Sequence, residues 1–124
     1  NIVNIETSGE NRINFLIKNS LKNNQNSSKN QIDLEIDSFK EKIIKEKNIK
    51  NEITKYSIDI IIDVKAKRFD KENSYNFSVK DTGDYNVSSQ NSLNRTKETD
   101  LIKMISNKLA NKILEEISYN LDDL

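Results

Sequence analysis

Residues 53–67 read ITKYSIDIIIDVKAK, and their alternation decides how the rest of the chain must fold. Tyr56, Ile58, Ile60, Ile62, Val64 and Ala66 fall on every second position, with Ser57, Asp59, Ile61, Asp63, Lys65 and Lys67 between them. Successive side chains of a strand point to opposite faces, so this period of two predicts a long strand with one apolar and one charged face. At roughly 3.3 Å per residue it is long enough to cross a small domain. The flanking segments have to be arranged around its apolar side.

Working back toward the N-terminus, Ile32, Leu34 and Ile36 alternate with Asp33, Glu35 and Asp37, which predicts a second strand. Phe39 and Ile43 then fall on odd positions, out of phase with Ile32–Ile36. A slip of one residue turns every later side chain to the other face, so a β-bulge near Asp37–Lys40 is expected to restore the register. A charged turn at about 45–51 follows. Before the second strand, 23–30 is uniformly polar and reads as a loop. Ile13, Leu16, Ile17 and Leu21 recur at helical spacing and predict an amphipathic helix over 8–23. Thr7-Ser8-Gly9-Glu10 has the spacing of a capping box in front of it. Asn1–Glu6 reads as a short edge strand.

Beyond the central strand, Asp70–Asn73 reads as a hairpin turn, and Tyr75, Phe77 and Val79 alternate as a fourth strand. Gly83 interrupts that strand, as at a bulge or a positive φ, before Tyr85 and Val87 resume the alternation. From about Ser92 the period changes. Leu101, Ile102, Ile105, Leu109, Ile113, Leu114 and Ile117 form a stripe at three- and four-residue steps, predicting a long helix to about Asn120 and then an acidic tail at Asp122–Asp123. The order is β-α-β-β-β-α. A right-handed crossover makes the first two strands parallel, and hairpins make the remaining pairs antiparallel. Only one sheet face is continuously apolar, so both helices are expected to cover it. The predicted fold is an α/β two-layer sandwich of the α+β kind, a four-stranded mixed sheet with two helices on one face.

The 124 residues fit a single domain, 1–124, with one core. Mean hydropathy is −0.79, yet Leu, Ile, Val and Phe make up roughly 28% of the chain, above the roughly 20% below which disorder is the default. Twenty basic residues balance twenty acidic ones, which removes the usual long-range attraction to nucleic acid. No Cys and no His are present, so thiol nucleophiles, disulfides, Ser-His-Asp triads and the common zinc sites are excluded. No enzymatic activity and no cofactor are expected. No apolar run approaches the ~20 residues that span a bilayer. The N-x-S/T triplets at Asn26, Asn76 and Asn86 are what chance supplies in a chain this rich in Asn and Ser. The first residue is Asn1, so a trimmed N-terminus is expected.

Candidate site residues lie on the uncovered face. Asp33, Asp37, Asp59 and Asp63 project from it, either as a hard-cation or acid–base set or, more plainly, as a solvated face with cross-strand ion pairs. Ile61 stands alone among these charges, as a partner contact or as an ordinary exposed apolar residue. Lys65, Lys67, Arg68, Lys71 and Lys80 gather toward one end of the third and fourth strands. They suit binding of phosphates, including lipid head groups, or the protection of strand edges from unwanted pairing. Tyr56, Tyr75 and Tyr85 are expected to pack on the sheet, since no basic groove or RNA-binding motif surrounds them.

Three segments carry a family resemblance. YSIDIIIDV (56–64), YNFSV (75–79) and DYNVS (84–88), the last leading into a long helix with Leu109–Ile113 and Leu114–Ile117 spacings, resemble the LPS-assembly lipoprotein family LptE, and its alphaproteobacterial members most of all. GENR (9–12) before an apolar helical repeat is similar to that family's first helix, and the resemblance spans about residues 1–119. It implies a lipoprotein tethered to the periplasmic face of the bacterial outer membrane through an N-terminal Cys upstream of this sequence. It implies a plug inside an LptD-type β-barrel that helps deliver lipopolysaccharide to the cell surface, with lipopolysaccharide itself a candidate ligand. It implies no cofactor. No functional residue of the family is carried onto a numbered position. The alternatives are another periplasmic lipoprotein accessory of envelope or lipid transport and, from a different class, a small nucleic-acid-binding α/β domain, whose binding would be strongly salt-sensitive.

Overall fold

The computed structural model describes residues 2–23, 31–68 and 74–120. In chain order these form β1 (Ile2–Gly9), α1 (Asn11–Asn23), β2 (Ile32–Lys47), β3 (Ile53–Arg68), β4 (Ser74–Asn86) and α2 (Asn91–Asn120). The strands lie in sequence order, β1-β2-β3-β4, with β1 parallel to β2 and the other pairs antiparallel. This is the β-α-β-β-β-α sandwich with a mixed sheet that the alternation predicts. The polar loop at 24–30, the turn Asp70–Asn73 and the acidic tail fall outside the described residues.

One sheet face supplies the core. Ile32, Leu34 and Ile36 of β2 and Ile58, Ile60, Ile62, Val64 and Ala66 of β3 are buried beneath Ile13, Ile17 and Leu21 of α1 and Leu101, Ile105, Leu109 and Ile113 of α2. Burying each large aliphatic side chain contributes about 1.5–3 kcal/mol, which is how a polar chain with one apolar layer folds. The pairing of β2 with β3 holds one register from Ile32↔Arg68 to Ile44↔Tyr56 and shifts only near Glu46. The bulge expected at Asp37–Lys40 is therefore absent. Phe39 and Ile43 lie on the open face instead, because the unbroken register keeps the odd positions of β2 on the side away from the helices.

Three further expectations are corrected. Thr7, Ser8 and Gly9 belong to β1, and the capping box does not form. The helix starts after Glu10 instead, whose carbonyl accepts the amide of Asn14 at 2.9 Å while its own N–H donates to Ser38 Oγ at 2.9 Å. Ser38 Oγ–H donates to Asn14 Oδ1 and Asn14 Nδ2 donates to the Ser8 carbonyl, both at 2.8 Å. A buried polar group is costly unless paired, and this closed set satisfies the two polar side chains that fix α1 on the sheet. Gly83 marks neither a bulge nor a positive φ, since the β3–β4 register runs through Ile58↔Gly83 unshifted. A Cβ there would stand 2.5 Å from Leu101 Cδ1, so the glycine makes room for α2.

Candidate partner interface

Beyond Ser38, where β1 stops, β2 and β3 continue as a ribbon to the turn at 48–52, with β4 paired alongside β3 as far as Lys55↔Asn86. Asn48 organises that turn. Its Oδ1 accepts the amides of Lys50 at 2.9 Å and Glu52 at 3.0 Å, and its N–H donates to the Glu52 carbonyl at 2.9 Å. Asn51 takes the left-handed conformation, φ 65°, which Asn tolerates better than most residues. The same arrangement leaves Ile49 with 104% of its reference surface in solvent. Ile44 is also exposed on the ribbon, and Phe39 and Ile43 are exposed on its open side. Apolar residues scattered singly over a surface need no explanation, but several on one ribbon make it the candidate partner interface.

The base of the ribbon is held by contacts among four elements. Lys42 Nζ of β2 lies 2.8 Å from Glu98 Oε1 of α2 and 4.3 Å from the ring centre of Tyr56 on β3. Tyr85 of β4 donates from its hydroxyl to the same Glu98 oxygen at 2.9 Å, and its ring stands 5.7 Å from that of Tyr56. Burial pushes the Glu98 carboxyl up, but hydrogen bonds from Lys42 and Tyr85 outweigh it and hold the group below its ordinary value. The Glu98 hydrogen bond in turn raises Lys42. Tyr56, Tyr75 and Tyr85 thus pack on the helix side of the sheet, as expected, and Tyr75 stacks on Phe77 at 5.3 Å.

The open face is polar with one apolar pair. Phe39 and Ile61 stand directly opposite each other across β2 and β3, and Lys80 of β4 is opposite Ile61 on the other side. Ile61 therefore has an apolar neighbour, which the sequence reading denied it by sending Phe39 inward. Toward the far end of the face a hollow of about 600 Å3 is lined by Glu35, Asp37, Asp63, Lys65, Asn76 and Ser78. Among the described residues the ion pairs are Lys42–Glu98, Lys45–Asp84 and Lys55–Glu46, none of which uses Asp33, Asp37, Asp59 or Asp63. For three of those four aspartates neutral donors stand in place of the expected ion pairs. Asp63 accepts from the Ser78 hydroxyl at 2.6 Å, Asp59 from the Thr82 hydroxyl, and Asp33 from Asn4 Nδ2 at 3.2 Å.

The basic residues singled out in the sequence do not converge. Lys65 and Lys67 share the open face near the end of β3, opposite Asn76 and Ser74. Lys80 is four residues along β4 from Asn76, roughly 13 Å away. Arg68 pairs with Ile32 and occupies a helix-side position, and Lys71 lies outside the described residues. The residues missed by sequence reasoning are Phe39, Ile43, Ile44 and Ile49. The signal for the first two was present as the phase change after Ile36.

No protein-family model and no curated protein matches the chain. Solved structures do match its fold. Rare lipoprotein B from Shewanella oneidensis superposes with a TM-score of 0.69 at 14% identity, over 96% of each chain. A lipoprotein from Caulobacter crescentus gives 0.70 at 15% identity, over 94% of this chain and 89% of that one. A minor lipoprotein from Acinetobacter baumannii gives 0.63 at 15% identity, over 97% and 94%.

Proposed function

We propose that this chain is the folded part of a bacterial envelope lipoprotein of the LptE kind, a non-enzymatic plug that supports an LptD-type barrel in lipopolysaccharide delivery at the outer membrane. The observation that carries the reading is the fold likeness to rare lipoprotein B, which runs end to end in both chains. Fold likeness to proteins described as lipoproteins supports the reading independently of the resemblance carried by residues 56–64, 75–79 and 84–88. In this reading the chain is lipid-anchored at the periplasmic face of the outer membrane, and the projecting ribbon enters the barrel with Phe39, Ile43, Ile44 and Ile49 against its wall. Lysines along the ribbon and the open face would pair phosphates of lipopolysaccharide as charge-assisted hydrogen-bond donors.

Co-expression of the chain with the LptD-type barrel of the same organism, followed by purification through a tag on the barrel, tests the proposal. A stoichiometric complex in mild detergent is expected, and Ile49→Asp with Phe39→Asp should weaken it without unfolding the free protein. Recovery of the barrel alone would overturn the reading.

A further inference from the structure

The two halves of the outer edge of β4 are treated differently by the rest of the molecule. The Val87 amide donates to the Thr54 carbonyl at 2.9 Å, so odd-numbered residues face β3 and the backbone groups of even-numbered residues face outward. At the far half those outward groups are spent internally. Lys112 Nζ of α2 donates to the Lys80 carbonyl at 3.0 Å, Lys97 Nζ donates to the Asn86 carbonyl at 2.9 Å, and the Asp81 carboxylate accepts the Thr82 amide at 2.8 Å. Such side-chain cover is how proteins keep strand edges from pairing. At the near half, the outward N–H and C=O groups of Ser74, Asn76 and Ser78 have no hydrogen-bond partner among the described residues, and no Lys, Pro or bulge blocks them.

A groove of about 470 Å3 adjoins the Ser78 end of this edge, between Ser78–Lys80 and the last turns of α2 at Lys112, Glu115, Glu116 and Tyr119. Its charges are unequally committed. Lys112 is held by the Lys80 carbonyl and Glu116 accepts from Tyr75 and Asn120, whereas Glu115 has no ion-pair partner among the described residues. Tyr119 is mostly exposed at the rim. The groove adds to the open edge the unspent backbone groups of Ser78, one available carboxylate and one aromatic ring.

We propose that the Ser74–Ser78 edge of β4 takes an extended segment of a partner polypeptide as a fifth strand, with a basic side chain of that segment against Glu115. Backbone pairing would supply affinity, and the groove-facing side chains at every second position would supply selectivity. The site is distinct from the ribbon, and it stands whether or not the envelope reading does.

The test uses the isolated protein and a phage-displayed library of random nine-residue peptides. Selected peptides, synthesised and titrated, should carry Lys or Arg at a recurrent position. They should shift the amide resonances of Ser74, Asn76 and Ser78 and of α2 residues 112–119. Asn76→Pro removes one outward N–H while leaving the ladder to β3 intact, and should abolish binding. Glu115→Lys should weaken it by roughly threefold or more. Should Asn76→Pro misfold, N-methylation of the peptides decides. Methylation at one alternating set of residues must abolish binding and at the other set must spare it. No recovered peptide, shifts elsewhere, equal binding by both methylated sets, or self-pairing of two copies through this edge would each overturn the proposal.

Discussion

Both glycines of the chain are held by neighbours, but by neighbours of different stiffness. A Cβ on Gly9 would meet the Ser38 carbonyl oxygen at 2.1 Å, and its φ of 88° is one that side chains rarely adopt. On Gly83 the obstacle is the far end of the Leu101 side chain. Gly9→Ala should therefore cost about 3 kcal/mol, combining backbone strain with a collision against a main chain that cannot yield. Gly83→Ala should cost about 1–2 kcal/mol, because Leu101 can change rotamer. Urea denaturation of the two variants checks the ranking, and equal losses would contradict it. Neither cause is visible in sequence. The local pattern around Gly83, an alternation interrupted by a glycine, is the same whether the residue makes a bulge or admits a helix. The capping box failed for a similar reason, since Thr7 and Glu10 match the motif while parallel pairing with β2 claims Thr7–Gly9 for the strand.

Elements were legible where one period ran long. Ile58–Ala66 and Leu101–Ile117 fixed the central strand and the second helix because each repeats its period through many residues on one buried face. The phase change at Phe39 was misread because alternation alone cannot tell a strand that rotates at a bulge from one that keeps its register and sets its later apolar residues on the open face. The exposed apolar side chains of the ribbon were lost with it, since Phe39 and Ile43 had been assigned inward. The contacts at the base of the ribbon also contribute to the pH response of the fold. Glu98 titrates below its ordinary value in the folded state, so its contribution to stability is present above the unfolded carboxylate range and is lost as pH falls through the lower, folded value. Thermal midpoints should therefore drop on acidification below about pH 4.5, and Glu98→Gln should flatten that part of the curve. An unchanged acid slope in the variant would exclude the Lys42–Glu98–Tyr85 contacts as its source. At the tip, Asn48→Ala should speed hydrogen exchange of the Lys50 and Glu52 amides with little change in global stability, because the turn packs on no core.

At the scale of the whole molecule the net charge is zero, and this was read as neutrality toward charged partners. The charge of the ribbon does not alter that reading. Residues 40–55 hold six lysines and three glutamates, but Lys42 and Lys45 are paired with Glu98 and Asp84 outside that stretch, which cuts the excess of three to one. So small an excess is screened within about 10 Å at 0.1 M salt, and charge gives the projecting turn little power to steer an encounter. What the turn offers another surface is short-range contact through the exposed Ile49.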